Sequence, residues 1–296
     1  MSIETIPAKT IVTKVNKPSN WFGAEYNMNI YRGCSHGCIY CDSRSDCYQN
    51  KDFGRVKVKE NALRIIRDEL RRKVKTGTIS TGAMSDPYNP LEKDLKLTRN
   101  ALELMNAFGF GAAIDTKSAL IVRDADVLQD IKEHSPTIVK ITVTAAEDSL
   151  AKKLEPNVSG TTERFEALSR LAGKGIYCGV LLHPVLPFLT DTDENILGIL
   201  RMAKEAGAKF VHTFMGMTLR SGNREYYYQR LDREFPCVKD KYIKRFGSRY
   251  VCSPPNAKKL WSLFAKECEE LGLLYDMGAI SGQYKMGYGE KQLSLF

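Results

Sequence analysis

From about residue 57 to residue 213 two hydrophobic rhythms alternate along the chain. Leu63, Ile66, Leu70 and Val74 recur at helical spacing, and Thr78–Gly82 then reads as a short strand. Ala101, Leu104, Met105 and Phe108 predict a second helix, followed by strand 111–116. Val127, Leu128 and Ile131 predict a third, followed by strand 137–144. Phe165, Leu168 and Leu171 predict a fourth, followed by strand 177–185. Asp191 with Glu194 reads as a helix start before Ile196, Ile199, Leu200 and Ala203, and strand 209–214 follows. An earlier strand near 27–31 precedes a cysteine-rich loop.

This alternation predicts an α/β fold of parallel β/α units, six in number: a partial (β/α)6 barrel. Chemistry in such folds gathers at the C-terminal ends of the strands. Those ends carry Cys34–Cys41, Ser80–Asp86, Thr116–Lys117, Thr142–Thr144, His183 and His212. Beyond residue 214 the composition shifts to Tyr, Lys and Arg, with helical stretches at 224–234 and 257–271 and a break at Pro254–Pro255. The expected organisation is an N-terminal segment (1–26), the barrel (27–214), a C-terminal helical extension (215–290) and a short tail (291–296).

At 296 residues, 43% of them hydrophobic, the chain can bury a large core. No apolar run reaches the ~20 residues needed to span a bilayer, and the N-terminus lacks a signal-peptide layout. A soluble, cytoplasmic protein is expected. In that setting eight cysteines read as ligands or core residues more readily than as disulfides. Lys and Arg exceed Asp and Glu by 44 to 35, a net charge of +9, which suits a polyanionic partner without requiring one.

Three thiols, Cys34, Cys38 and Cys41, share one loop at C-x3-C-x2-C spacing. Soft thiolates so close together suit iron–sulfur or zinc. Three ligands on a four-iron cluster leave one iron open, and Tyr40 places a ring beside that corner. Gly33 and Gly37 permit the tight backbone. A structural zinc site completed by His36 or Cys47 is the alternative, as are three unrelated core cysteines.

The spacing, with an aromatic residue before the third cysteine, resembles the signature of the radical S-adenosylmethionine (SAM) superfamily. The run from Tyr31 to Asp42 resembles the branch related to spore photoproduct lyase. So do Ser85-Asp-Pro-Tyr-Asn-Pro-Leu-Glu92, Leu97-Thr-Arg99, Asp115-Thr-Lys-Ser118, Arg123-Asp124 and Glu155-Pro156 with Arg164. The resemblance implies a [4Fe–4S] cluster on the three cysteines, S-adenosyl-L-methionine on the fourth iron, and reductive cleavage to a 5′-deoxyadenosyl radical. It implies an external one-electron donor of flavodoxin or ferredoxin type. It also implies cofactor contacts at Tyr40, Ser80, Gly82, Ser85, Lys117, Thr142, Thr144 and Arg164, and a tuning role for His36. One departure matters. Where the branch has a hydrogen-donor cysteine, this chain reads Gly82-Ala-Met84-Ser-Asp86. Hydrogen return from that cysteine is therefore not expected.

The chain ends Gln292-Leu293-Ser294-Leu295-Phe296, which resembles the peptides that dock on the bacterial sliding clamp. Basic residues Lys241, Lys244, Arg245, Arg249, Lys258 and Lys259, interleaved with Tyr242, Phe246 and Tyr250, read either as a nucleic-acid face or as a solvated helix. The expected substrate is DNA, for base repair or modification. Radical chemistry on RNA, a peptide or a small molecule is the alternative enzyme reading. A zinc- or cluster-binding nucleic-acid module is the non-enzymatic one.

Overall fold

Strand residues of alternating orientation build one sheet with helices against one face and a closed interior on the other. In the structure, a computed structural model describing residues 3–15, 21–50 and 52–288, the sheet has seven strands. They are β1 (Val12–Lys14), β2 (Tyr26–Met28), β3 (Thr78–Thr81), β4 (Gly111–Thr116), β5 (Thr137–Thr142), β6 (Tyr177–Leu182) and β7 (Val211–Thr213). They lie in the order β7-β6-β5-β4-β3-β2-β1. The six strands from β2 to β7 are mutually parallel, and β1 is antiparallel at the edge. Helices α1 (Ala62–Arg72), α2 (Leu97–Ala107), α3 (Ala125–Lys132), α4 (Thr161–Gly173) and α5 (Asp193–Glu205) form the crossovers. These are the parallel β/α units of the expected partial (β/α)6 barrel, with antiparallel β1 added at one edge.

Boundaries differ in physically readable ways. Val74 lies beyond the end of α1 and is 99% exposed, so the helical rhythm stops at Leu70. Helix α5 is capped by Thr192, whose hydroxyl accepts from the Asn195 amide, rather than by Asp191. The expected strand at 27–31 is two short pieces in different sheets, β2 and Tyr31–Arg32.

Period-two alternation sorts the strand residues. Ile79, Ala112, Ile114, Val139, Ile141, Val180, Leu182 and Val211 join the helix-side core. The opposite faces stack in layers set by register. Ser80, Ala113, Ile138 and Tyr177 form the lowest. Asp115, Lys140 and Gly179 form the next, and Thr142, Leu181 and His212 the one above. Gly179 is required there: a Cβ would lie 2.3 Å from the Phe210 carbonyl oxygen.

Segments far away in sequence fill this interior. Phe22 enters from the N-terminal side. Ile280 and Tyr284 enter from a C-terminal helix. The C-terminal helices are α6 (Asn223–Glu234), α7 (Val238–Phe246), α8 (Ala257–Leu271) and α9 (Met277–Lys285). Helix α8 adds Leu260, Phe264 and Cys268 to the main core. Helices α6 and α7 press Tyr227, Leu231, Tyr242 and Phe246 onto Cys38, Ile39 and Tyr40. Tyr242 and Phe246 are therefore buried, which removes them from any nucleic-acid face. The clamp-like residues Gln292, Leu293, Leu295 and Phe296 lie outside the described residues.

Candidate active site

The cysteine loop is shaped by what it must pass. Gly33 has φ +81°, and a Cβ there would meet the Arg55 carbonyl oxygen at 2.5 Å. The Cys34 amide donates to the Phe53 carbonyl at 2.8 Å, and the Ile39 amide to that of Leu154 at 3.0 Å. Asn157 grips the loop twice, through Ser35 and His36 carbonyls. Ser85 donates to the Gly33 carbonyl at 2.5 Å.

All three thiols line one cavity of about 450 Å³ at the C-terminal ends of the strands. Cys34 and Cys38 are buried and Cys41 partly so. Burial pushes the Cys34 thiol up to about 12 and raises Cys38 and Cys41. Thiolates at such a place need a cationic centre to offset their desolvation. Among the described residues no three His, Cys, Asp or Glu side chains converge on a point where a single ion could sit. Three soft thiols from one loop on one cavity wall are a donor set that fits an iron–sulfur cluster.

Beside the thiols the structure places Tyr40, Gly82, Ser85, Lys117 and Thr142 on the cavity wall. Gly82 has φ +111°, and a Cβ would stand 2.0 Å from the Asp115 carbonyl oxygen. The chain here can only be glycine. The Lys117 ammonium lies 5.8 Å from the Tyr40 ring centroid and 3.8 Å from Glu155. The remaining three expected contacts do not line the cavity. Ser80 sits in the lowest interior layer, one full strand repeat beneath Gly82. Thr144 spends its hydroxyl on Glu155 and the His183 carbonyl, 3.0 Å each. Arg164, only 1% exposed, donates to Thr142 and Ser159 carbonyls and to Glu155 at 2.5 Å.

Glu155 is the hub of this support. It accepts from Tyr40, Thr144 and Arg164. Burial alone would raise its carboxyl, but the charges of Arg164 and Lys117 outweigh that and hold it down to about 2. Tyr40 is thereby locked as a neutral phenol, its hydroxyl held by Glu155 and Thr144. Asp86 is a second hub. It faces His36 at 3.4 Å and accepts from the Thr116 hydroxyl (2.7 Å), the Lys117 amide (2.8 Å) and the Tyr88 amide (2.9 Å). Both carboxylates stand in the quoted motifs, but nothing in their local spacing announces a hub.

Trp21, Phe53, Met84, Leu181, His183, Phe214 and Met217 give the wall an aromatic and apolar part, and Asp42, Asp115, Thr116 and Thr218 a polar one. Trp21 donates to Asp115 at 3.0 Å, and Asp115 lies 2.7 Å from the fully buried Lys140 ammonium. Trp21, His183 and His212 meet at centroid distances of 5.6–6.1 Å. Trp21 escaped the sequence reading because its partners are some ninety residues and more away.

Comparison with known proteins agrees with this geometry. Residues 28–203 match the family model described as the radical SAM superfamily. An uncharacterised protein of Mycobacterium bovis is 31% identical over 79% of this chain and 71% of its own. One of Methanocaldococcus jannaschii is 37% identical over 64% and 71%. A solved spore photoproduct lyase, complexed with a dinucleoside spore photoproduct, superposes with a TM-score of 0.65 at 15% identity, over 84% of this chain and 75% of that one. No helix among the described residues is long and apolar enough to cross a membrane. By matched family, by fold and by the character of its thiol loop, this chain belongs to the radical SAM superfamily, whose enzymes work with a [4Fe–4S] cluster and S-adenosylmethionine.

Proposed function

We propose that this enzyme acts on a base of DNA, with Cys34, Cys38 and Cys41 holding the cluster. The observation that carries the DNA reading is the two-part wall of the cavity. Thiols occupy one part, and flat rings of Trp21, His183 and Phe214 occupy another. Aromatic faces of that kind suit an extruded nucleobase. The lyase that shares the fold is described with a dinucleoside photoproduct, which supports the same substrate class here.

When bound, the cluster and S-adenosylmethionine supply an electron and a 5′-deoxyadenosyl radical that takes hydrogen from the substrate. The chain's own residues position and protect. Lys117 offers an ammonium group for the cofactor's carboxylate. Tyr40, fixed through Glu155, gives the cofactor an immovable wall. Gly82 lets the backbone pass close, and Thr142 adds a hydroxyl beside it. Ser85 acts indirectly, by tying down the cysteine loop. The apolar packing of α6 and α7 behind that loop excludes water. The Met84 position lines the cavity, and the cysteines on the wall are the three of the loop. A thiol hydrogen donor therefore plays no part in this reading.

The test is anaerobic reconstitution, strong reduction and measurement of 5′-deoxyadenosine. With deuterium-labelled DNA, label should appear in the deoxyadenosine. Label arriving from RNA or peptide, and none from DNA, would displace the DNA reading. Replacing any one of Cys34, Cys38 and Cys41 by Ala should abolish both the four-iron content and deoxyadenosine formation.

The tail Gln292-Leu-Ser-Leu-Phe296 completes the proposal as the segment that delivers the enzyme to the bacterial sliding clamp. Immobilised clamp should retain the wild-type chain and lose Gln292→Ala and Phe296→Ala. Equal retention of all three removes the clamp from the account.

A further inference from the structure

Large aromatic side chains left in water gather where the cavity opens. Phe214 is 45% exposed and Trp261 44% exposed. Phe214 lines the cavity and also a shallow outer groove, which it shares with Met215, Lys258 and Trp261. The groove is thus continuous with the reaction chamber through one ring. Trp261 leans on Phe264 and Tyr275, with centroids at 5.6 and 6.1 Å, so its plane is fixed although it is exposed.

Beside the wall residues Asp42 and Thr218, a cation and an exposed ring stand together again. Asp42 and Thr218 line the cavity and share a 3.0 Å hydrogen bond. Arg220 stands 3.7 Å from Asp42. Its guanidinium lies 4.7 Å from the Tyr250 centroid and 5.9 Å from that of Tyr48. Tyr250 is itself exposed.

Two stations of ring plus cation, both contiguous with one cavity, suit a chain of bases joined by phosphates. An apolar peptide would have no use for the cations. A small molecule held in the cavity would not reach the outer groove. A paired duplex hides the base faces that such rings would stack on. The net charge of +9 favours the same partner.

We infer that a single, unpaired DNA strand crosses the cavity mouth, with the reacting nucleotide inside and flanking bases stacked at Phe214–Trp261 and at Arg220–Tyr250. The inference rests on the DNA reading above and adds strandedness and the residues that enforce it.

The test uses the full-length, cluster-loaded protein and fluorescence anisotropy. The probes are a labelled oligothymidylate about ten nucleotides long, the same strand annealed to its complement, and an oligouridylate of equal length. The single DNA strand should bind at least about tenfold tighter than the duplex. Trp261→Ala and Arg220→Ala should each weaken it about tenfold. Trp261→Phe, which keeps a stacking face, should retain most of the affinity, and it replaces Trp261→Ala if that variant fails to fold. Arg220→Ala should also lower the salt slope by about 0.7. Equal affinity for duplex and single strand, or wild-type affinity in a folded double variant, overturns the inference and leaves DNA standing as substrate. Preference for the RNA strand, or no binding of any strand by wild type, overturns the inference together with the DNA reading.

Discussion

Arg164→Ala leaves the Glu155 carboxylate buried with its chief cation gone. Truncating one partner of such a pair costs about 3–5 kcal/mol, and urea unfolding of the variant should show it. Arg164→Lys restores charge but not the three-way fork, so it should recover only part. His183 makes a different statement. Burial pushes its imidazole down to about 3, with His212 and Lys117 adding to the effect. The unfolded chain takes up a proton near 6.5 and the folded chain does not. Stability is therefore complete above that pH and falls with acid until about 3. His183→Asn should flatten the pH dependence of the melting temperature across that window. At this scale the placement of the thiols, Tyr40, Gly82 and Lys117 on one cavity wall was legible because they stand in contiguous motifs. The interior placement of Ser80 and Thr144 was not, because type and position on a strand do not tell which layer a side chain occupies. Arg164 carries no sign of burial in its local sequence, and only the fold shows that its helix turns it inward.

Strands β4, β5 and β6 are buried on both faces, and their sequences carry polar residues inward: Asp115, Lys140 and Thr142. Asp115 and Lys140 pair with each other across neighbouring strands, Trp21 of the N-terminal segment adds a bond to Asp115, and Thr142 faces the cavity. That dependence explains why the strands could be read from hydrophobicity while the interior could not. Periodicity reports which residues face helices. It is silent on what enters the other side. Helix α7 was read only as part of a basic stretch, a nucleic-acid face or a solvated helix, because its buried positions Val238, Tyr242 and Phe246 are scattered among lysines. Helix α9 is short, with Gly278 and Gly282 weakening its pattern. Its Ile280 and Tyr284 nonetheless fill the interior, and Tyr284 donates to the Phe22 carbonyl at 2.6 Å. Ending the chain at Asp276 should remove about 3–6 kcal/mol of burial. Soluble yield and iron content of that truncation should both collapse.

Across the molecule, the thiol loop is a wall shared by two regions: the sheet on one side and α6–α7 on the other. A cluster bound to the folded chain alone stabilises by mass action. Removing it by oxidation and chelation should lower the melting temperature and speed amide exchange chiefly in residues 34–44, α6 and α7. Exchange in β4 and β5 should change little. A uniform rise across the sheet would mean that the loop is coupled to the whole core instead. The broad architecture, parallel units with chemistry at one end, was legible from alternation alone. The joining of distant segments was not, since no local pattern encodes a contact between Trp21 and Asp115.

The bond between Tyr284 and Phe22 ties together points 262 residues apart. On the ribosome, Trp21 emerges early yet has no settled floor beneath it until residues 277–285 have followed. Synthesis order thus delays completion of the reaction chamber. A polypeptide interrupted midway could gather iron on its cysteines, but it would lack the enclosure that makes a carbon radical safe to generate.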